Sequence, residues 1–188
     1  MKITYHSKPN NTAKTLVVFA YNDNKLTDAT EDLDKKIGGM IKKSIKCDDF
    51  KGKFAENLII NANFAIKAEK IILVGLGKKE DLTTQSLETL GSKLFNLLNQ
   101  KPSDAEIICD IKSKNIDEAK IASSIAVGLK LNSYRFNKYY TKNIKEKEIK
   151  LKSVQFTVKD PKKAQALYAR EEKTIAGVFL ARDLVSEA

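Results

Sequence analysis

IILVGLGKKEDLTTQSLETLGSKLFNLL, residues Ile71 to Leu98, decides the fold class. Ile71 to Val74 is a short, continuous apolar run with β-branched side chains, the composition of a strand buried on both faces. Gly75-Leu76-Gly77 and a charged loop follow, after which Leu87, Leu90, Leu94, Leu97 and Leu98 recur at helical spacing. Thr15 to Tyr21, TLVVFAY, is a second apolar run upstream, with Asn22-Asp23-Asn24 turning the chain after it. Ala105 to Cys109 is a third short buried-type strand, followed by a helix capped by Asn115 and Glu118 whose apolar face holds Ile121, Ala122, Ile125, Ala126 and Leu129. Strands alternating with helices at this spacing predict an α/β domain with helices on both faces of a mixed, mostly parallel sheet.

The remaining segments fill in that plan. Asp28 and Glu31 have the spacing of a capping box, and Leu33, Ile37, Met40, Ile41 and Ile45 predict one helix running through Gly38-Gly39. Each glycine costs such a helix about 1 kcal/mol relative to alanine, so a close packing contact is expected there. Phe54 to Ile60 and Phe64 to Ile66 read as extended, with a turn at Asn61 to Asn63, which makes a meander feeding the Ile71 strand. Leu151 to Val158 alternates as a half-exposed strand, and Asp160-Pro161 opens the final helix with an N-cap and a proline at the first helical position. EKTIAGVFLARDLVSEA, Glu172 to Ala188, continues that helix with Ile175, Val178, Phe179 and Val185 on one face and Arg182 beside them. An apolar helical pattern still running at the last residue is the expectation for a fragment of a longer protein.

Composition bounds the function. With 188 residues, 42% hydrophobic and 31% charged, the chain suits one globular domain and a connecting helix. No apolar run approaches the roughly 20 residues of a bilayer span. MKITYHSKPNN lacks the apolar core of a signal peptide, so the expected compartment is the cytoplasm. Cys47 and Cys109 are too few for a disulfide framework and are read as small buried or half-buried apolar residues. The net charge of +10 raises a DNA-binding reading. Against it, the basic residues are spread along the chain and are nearly all lysine, with Arg135, Arg170 and Arg182 the only arginines.

The familiar catalytic constellations are missing. His6 is the single histidine, which excludes Ser-His-Asp, Cys-His and multi-histidine zinc sites within this chain. Gly75-Leu76-Gly77-Lys78-Lys79 follows a strand, as phosphate loops do, but meets neither the Walker nor the dinucleotide spacing. Its glycines are read as turning the chain. Asp48-Asp49 and the pair Asp32 and Asp34 are read as solvated carboxylates. Tyr134, Phe136, Tyr139 and Tyr140, interleaved with Arg135, Lys138 and Lys142, have the look of a stacking platform for single-stranded nucleic acid, or of anchors tying a loop to the core. No catalytic, cofactor-binding or metal-ligating residue is assigned.

Four ordered segments resemble the leucyl aminopeptidase (cytosol aminopeptidase) family. They are DKKIGGMIKKSIKCDDFKGKFAENLII (Asp34 to Ile60), IILVGLGKKEDLT (Ile71 to Thr83), GLKLNSYRFNKY (Gly128 to Tyr139) and AGVFLARDLVSEA (Ala176 to Ala188). Ser133 to Phe136 and Ala181 to Val185 are the most specific parts. The resemblance implies a three-layer macro-domain-like α/β domain over residues 1–160. It also implies a connector helix, 161–188, leading to a C-terminal peptidase domain. In that family two divalent metals, zinc or manganese, are held in the C-terminal domain by a lysine, aspartates and a glutamate, a metal-bound water is the nucleophile, and the assembly is a hexamer. None of those ligand motifs occurs here, so the chain is expected to be inactive alone and to support assembly and active-site access. One departure is visible at the end, where Ser186-Glu187-Ala188 stands in place of the family's Asn-Glu-Pro. A macro-like fold also implies a second function class, binding of ADP-ribose or a related nucleotide.

Overall fold

The computed structural model describes residues 1–10, 12–101, 103–139 and 148–187. Seven strands form one sheet among them: β1 (Lys2–His6), β2 (Thr15–Tyr21), β3 (Lys25–Leu26), β4 (Asn57–Asn61), β5 (Lys70–Gly75), β6 (Ser103–Ile108) and β7 (Leu151–Thr157). The order is β1-β7-β6-β2-β5-β4, with β3 paired to the end of β2. All neighbours are parallel except β4 against β5 and β3 against β2. The mixed, mostly parallel sheet read from the sequence is therefore present.

Among the described residues five α-helices cover it: α1 (Asp28–Lys36), α2 (Met40–Cys47), α3 (Thr84–Leu98), α4 (Glu118–Asn132) and α5 (Pro161–Glu187). On one face α3, α4 and α5 bury Val17, Phe19, Ile72, Val74, Ile107 and Phe156 in the larger core. On the other, α1 and α2 press Leu33, Ile37, Ile41 and Ile45 onto Leu16, Val18, Ile71 and Leu73. At roughly 25 cal/mol per Å² of apolar area, this burial is the main force holding the layers. The β6-β7 half of the second face is polar: Ser153 Oγ donates to Asp104 Oδ1 at 2.8 Å and Thr157 Oγ1 to Glu106 Oε1 at 2.8 Å.

Several sequence expectations are corrected by this geometry. The predicted helix across Gly38-Gly39 is two helices, because both glycines adopt positive φ, 75° and 77°. No packing contact explains them, since a Cβ at either would meet nothing within 4 Å. Their left-handed backbone ends α1 and restarts the chain as α2. The extended reading of Phe64 to Ile66 fails: β4 stops at Asn61, and Asn63 Oδ1 accepts from the Ala65 N–H at 3.1 Å in a local turn. The cap of α4 is Asp117, which accepts from the Lys120 N–H at 3.1 Å, two residues later than expected. α1 has no capping box of its own; its N-cap Thr27 makes no side-chain bond to the helix backbone, its hydroxyl meeting Thr30 Oγ1 at 2.8 Å. β3, two residues long, and β1, whose KITYH buries only Tyr5 and so shows no apolar run, were outside the sequence reading.

α3 and α4 meet where each has a glycine. A Cβ at Gly91 would fall on the Ile125 carbonyl, and one at Gly128 on the Glu88 carbonyl, so the two backbones touch directly. α5 starts as expected, with Asp160 Oδ1 accepting from the Lys163 N–H at 2.9 Å. Its first half belongs to the core: Ala164, Tyr168 and Ile175 are buried, and Tyr168 stands against Tyr5, which stacks on Phe156 at 5.3 Å.

Candidate functional site

The second half of α5 leaves the core. Val178 and Phe179 are half-buried, while Leu180, Leu184 and Val185 are 61%, 61% and 79% exposed. This end is held by the segment that follows α4. Tyr134 packs its ring on Phe179 at 5.2 Å and donates its hydroxyl to Asp183 at 2.8 Å. Desolvation, and then the bond to Asp183, raises the Tyr134 phenol above its ordinary range. The Arg182 guanidinium lies over the same ring at 5.3 Å, and Lys138 pairs with Glu187. The family-like segments around Tyr134 and Arg182 are thus brought together into one clamp. It sets the direction of α5 and leaves Leu180 and Leu184 exposed on one side of the helix and Val185 exposed about 100° further round, beside Val178 and Arg182.

Of the aromatic and basic residues read as a nucleic-acid platform, Tyr134 and Arg135 are used within the fold, while Tyr139 is 64% exposed. The Arg135 guanidinium sits over the Phe95 ring at 5.4 Å and donates to the Asn132 carbonyl at 2.9 Å, while Phe136 and Tyr139 contact each other at 5.6 Å. Tyr140 and Lys142 lie outside the described residues.

The glycine loop after β5 offers no cradle for phosphate. The N–H groups of Gly75, Leu76 and Gly77 donate to the carbonyls of Glu56, Ala20 and Gly52 at 2.7, 2.8 and 3.0 Å. With those donors consumed, the loop ties β5 to β2 and to the chain before β4, in keeping with a turning role.

The other single residues divide. His6 is exposed at the end of β1 with Nε2 3.2 Å from Thr4 Oγ1. Asp32 is exposed and pairs with Lys35, and Asp49 pairs with Lys51. Asp34 departs from the solvated reading: it is 3% exposed, and its Oδ1 accepts from the Ile41 N–H at 2.7 Å, capping α2. Cys109 is buried, and burial followed by the Glu118 carboxylate pushes its thiol up. Cys47 is exposed, against expectation, because it falls on the outer side of the last turn of α2. Among the described residues no group of three or more His, Cys, Asp or Glu is placed to hold a metal ion. No helix there is long and apolar enough to cross a membrane.

Comparison with known proteins agrees with this geometry. The sequence model of the cytosol aminopeptidase family, N-terminal domain, matches residues 17–143. A probable cytosol aminopeptidase of Nitrobacter winogradskyi is 30% identical over 174 residues, which cover 92% of this chain and 35% of that relative. The chain thus spans about a third of the length of the curated relatives it matches. Among solved structures, a tomato leucine aminopeptidase mutant superposes with a TM-score of 0.77 at 20% identity, covering 98% of this chain and 38% of that one. The macro domain of ganglioside induced differentiation associated protein 2 superposes at 0.61 and 12% identity, covering 90% of this chain and 81% of that one. Both are likenesses of fold, and they agree with the macro-like layering. The chain belongs to the cytosol aminopeptidase family, by its N-terminal domain.

Proposed function

We propose that this chain serves as the non-catalytic N-terminal domain, residues 1–160, and connector helix, 161–188, of a dimetal aminopeptidase. That enzyme releases N-terminal amino acids, leucine preferred, from peptides. The observation that carries the reading is the match to the family's N-terminal domain by a chain spanning 35% of its relative. The catalytic centre lies in the length those relatives have beyond it. The metals, zinc or manganese, belong there too: this chain's own residues do not fit a two-metal centre, since no group of three ligands is assembled among those described. A solved bottromycin maturation enzyme with the same fold over 93% of this chain is in complex with Mn, which supports manganese as one candidate.

The exposed pair Leu180 and Leu184, one turn apart, is the face we assign to the catalytic domain. The clamp of Tyr134 on Phe179 and Asp183 fixes the angle at which α5 would present that domain. In this reading the domain supports a hexameric assembly and access to the active site, in the cytoplasm. Sequencing the gene beyond the codon for Ala188 tests it. The expected result is an open reading frame with clustered Lys, Asp and Glu ligands. A stop codon in that place, with no separate catalytic chain to pair with, would contradict it.

A further inference from the structure

β4 is an edge of the sheet, paired to β5 on one side only. That pairing fixes which of its backbone groups are used. The Gly75 N–H donates to the Glu56 carbonyl at 2.7 Å and the Ala62 N–H to the Glu69 carbonyl at 3.0 Å, one at each end of the strand. Residues bonded to the neighbour alternate along an antiparallel ladder, so between those ends Leu58 and Ile60 are the bonded ones, opposite Leu73 and Ile71. The N–H and carbonyl of Asn57, Ile59 and Asn61 therefore point away from the sheet. Among the described residues no backbone group of another element bonds to them.

Natural sheet edges are blunted by charge, proline or a covering element. The opposite edge, β1, is bounded by Lys2 and His6. Asn57-Leu58-Ile59-Ile60-Asn61 instead has no charged residue and no proline, in a chain that is 31% charged. Leu58 and Ile60 are buried beneath α2, whereas Asn57 and Asn61 are exposed on the other face and Ile59 between them is 52% exposed.

We propose that β4 pairs with β4 of a second copy of this chain, antiparallel about a two-fold axis at Ile59, joining two sheets into one. The strand is complementary to itself in that register. The residues with outward backbone groups lie symmetrically about Ile59, so Ile59 exchanges both bonds with Ile59 of the second copy, and Asn57 with Asn61 of the second copy. Directly opposite residues share a face, so the two exposed isoleucines cover one another and each Asn57 side-chain amide, both donor and acceptor, meets an Asn61 amide. The missing charge favours this occupant over a foreign strand. A charge at position 59 would meet itself across the axis, a restriction that no unrelated partner imposes. Five residues at about 3.4 Å each make a contact about 17 Å long, in the class of weak, reversible interfaces. The inference goes beyond the aminopeptidase reading and does not depend on it.

Sedimentation equilibrium and amide hydrogen exchange on the 188-residue chain test it. The mass is expected to rise from one chain toward two as the concentration approaches about 1 mM. Over the same range exchange of the Asn57, Ile59 and Asn61 amides is expected to slow by at least about threefold, with Leu58 and Ile60 protected throughout. Ile59→Lys sets two ammonium groups opposite one another and is expected to weaken association at least about tenfold, with the thermal melt of the dilute chain unchanged. Leu184→Lys is expected to leave association as it is. The proposal is overturned if the chain stays monomeric at about 1 mM, which would leave the edge to a foreign strand or to none. It is equally overturned if a dimer forms without slowing those three amides, if Ile59→Lys associates as tightly, or if Leu184→Lys abolishes the dimer, which would place the contact on α5. The amide comparison uses the unaltered chain, so it decides even if Ile59→Lys fails to fold.

Discussion

Asp34 is a carboxylate held inside the molecule by two backbone N–H groups, those of Ile41 at 2.7 Å and Lys42 at 3.3 Å. It satisfies the open end of α2, so Asp34→Ala should lower stability by about 1–2 kcal/mol in urea denaturation, with Asp34→Asn losing less. Tyr5 presents the opposite case, a buried hydroxyl with no hydrogen-bond partner among the described residues. Burial first, then Tyr168, Cys109 and Glu172, holds its phenol above the ordinary range. Because the folded pKa exceeds the unfolded one, its contribution is intact below about pH 10 and is lost as pH rises above that, where the unfolded chain ionises first. Tyr5→Phe should therefore leave stability at pH 7 equal or higher and lessen the alkaline loss, read from thermal melts across that range. For the thiols, alkylation at pH 8 should label exposed Cys47 at once and buried Cys109 only on unfolding. In the sequence Asp34 stands next to Lys35 and Lys36 and resembles any solvated acid. What buries it is the Gly38-Gly39 turn that brings α2 back onto its side chain, and that is tertiary information.

Glycine within a helical pattern means three different things among these elements. At Gly38-Gly39 the backbone is left-handed and the helix breaks. At Gly91 and Gly128 the helix continues, and the missing Cβ lets α3 and α4 touch. At Gly177 in α5 a Cβ would meet nothing within 4 Å. Gly128→Ala should accordingly destabilise by about 1–3 kcal/mol or more through overpacking against the Glu88 carbonyl. Gly177→Ala should stabilise by about 1 kcal/mol through helix propensity. Thermal melts of the two variants should move in opposite directions. Apolar spacing placed α3, α4 and α5, by leucines in α3 and by mixed aliphatic and aromatic residues in α4 and α5, because their buried faces repeat at the helical period over several turns. It could not separate these glycines, since the deciding atoms lie on another element.

At the scale of the whole molecule, the sheet was legible as a class and only partly as an order. The central strands β2, β5 and β6 were visible as short apolar runs, while β1 joins the sheet beside β7 through residues from opposite ends of the chain. The candidate docking face was legible in Glu172 to Ala188 as an apolar stripe, but the stripe divides: Ile175 is buried in this chain's core, and Val185 is 79% exposed. Replacing Leu180 and Leu184 by lysine should therefore change the stability of this chain by no more than about 0.5 kcal/mol. In the longer protein the same change should weaken the contact with the catalytic domain, seen as faster proteolysis at the α5 junction. The central claim is that the chemistry resides outside this chain. Leucine p-nitroanilide turnover in manganese buffer, run in parallel on the 188-residue chain and on the protein expressed with its downstream reading frame, tests it most directly. The account predicts hydrolysis by the longer protein, stopped by a chelator, and none by the chain; chelator-sensitive turnover by the 188-residue chain alone would contradict it.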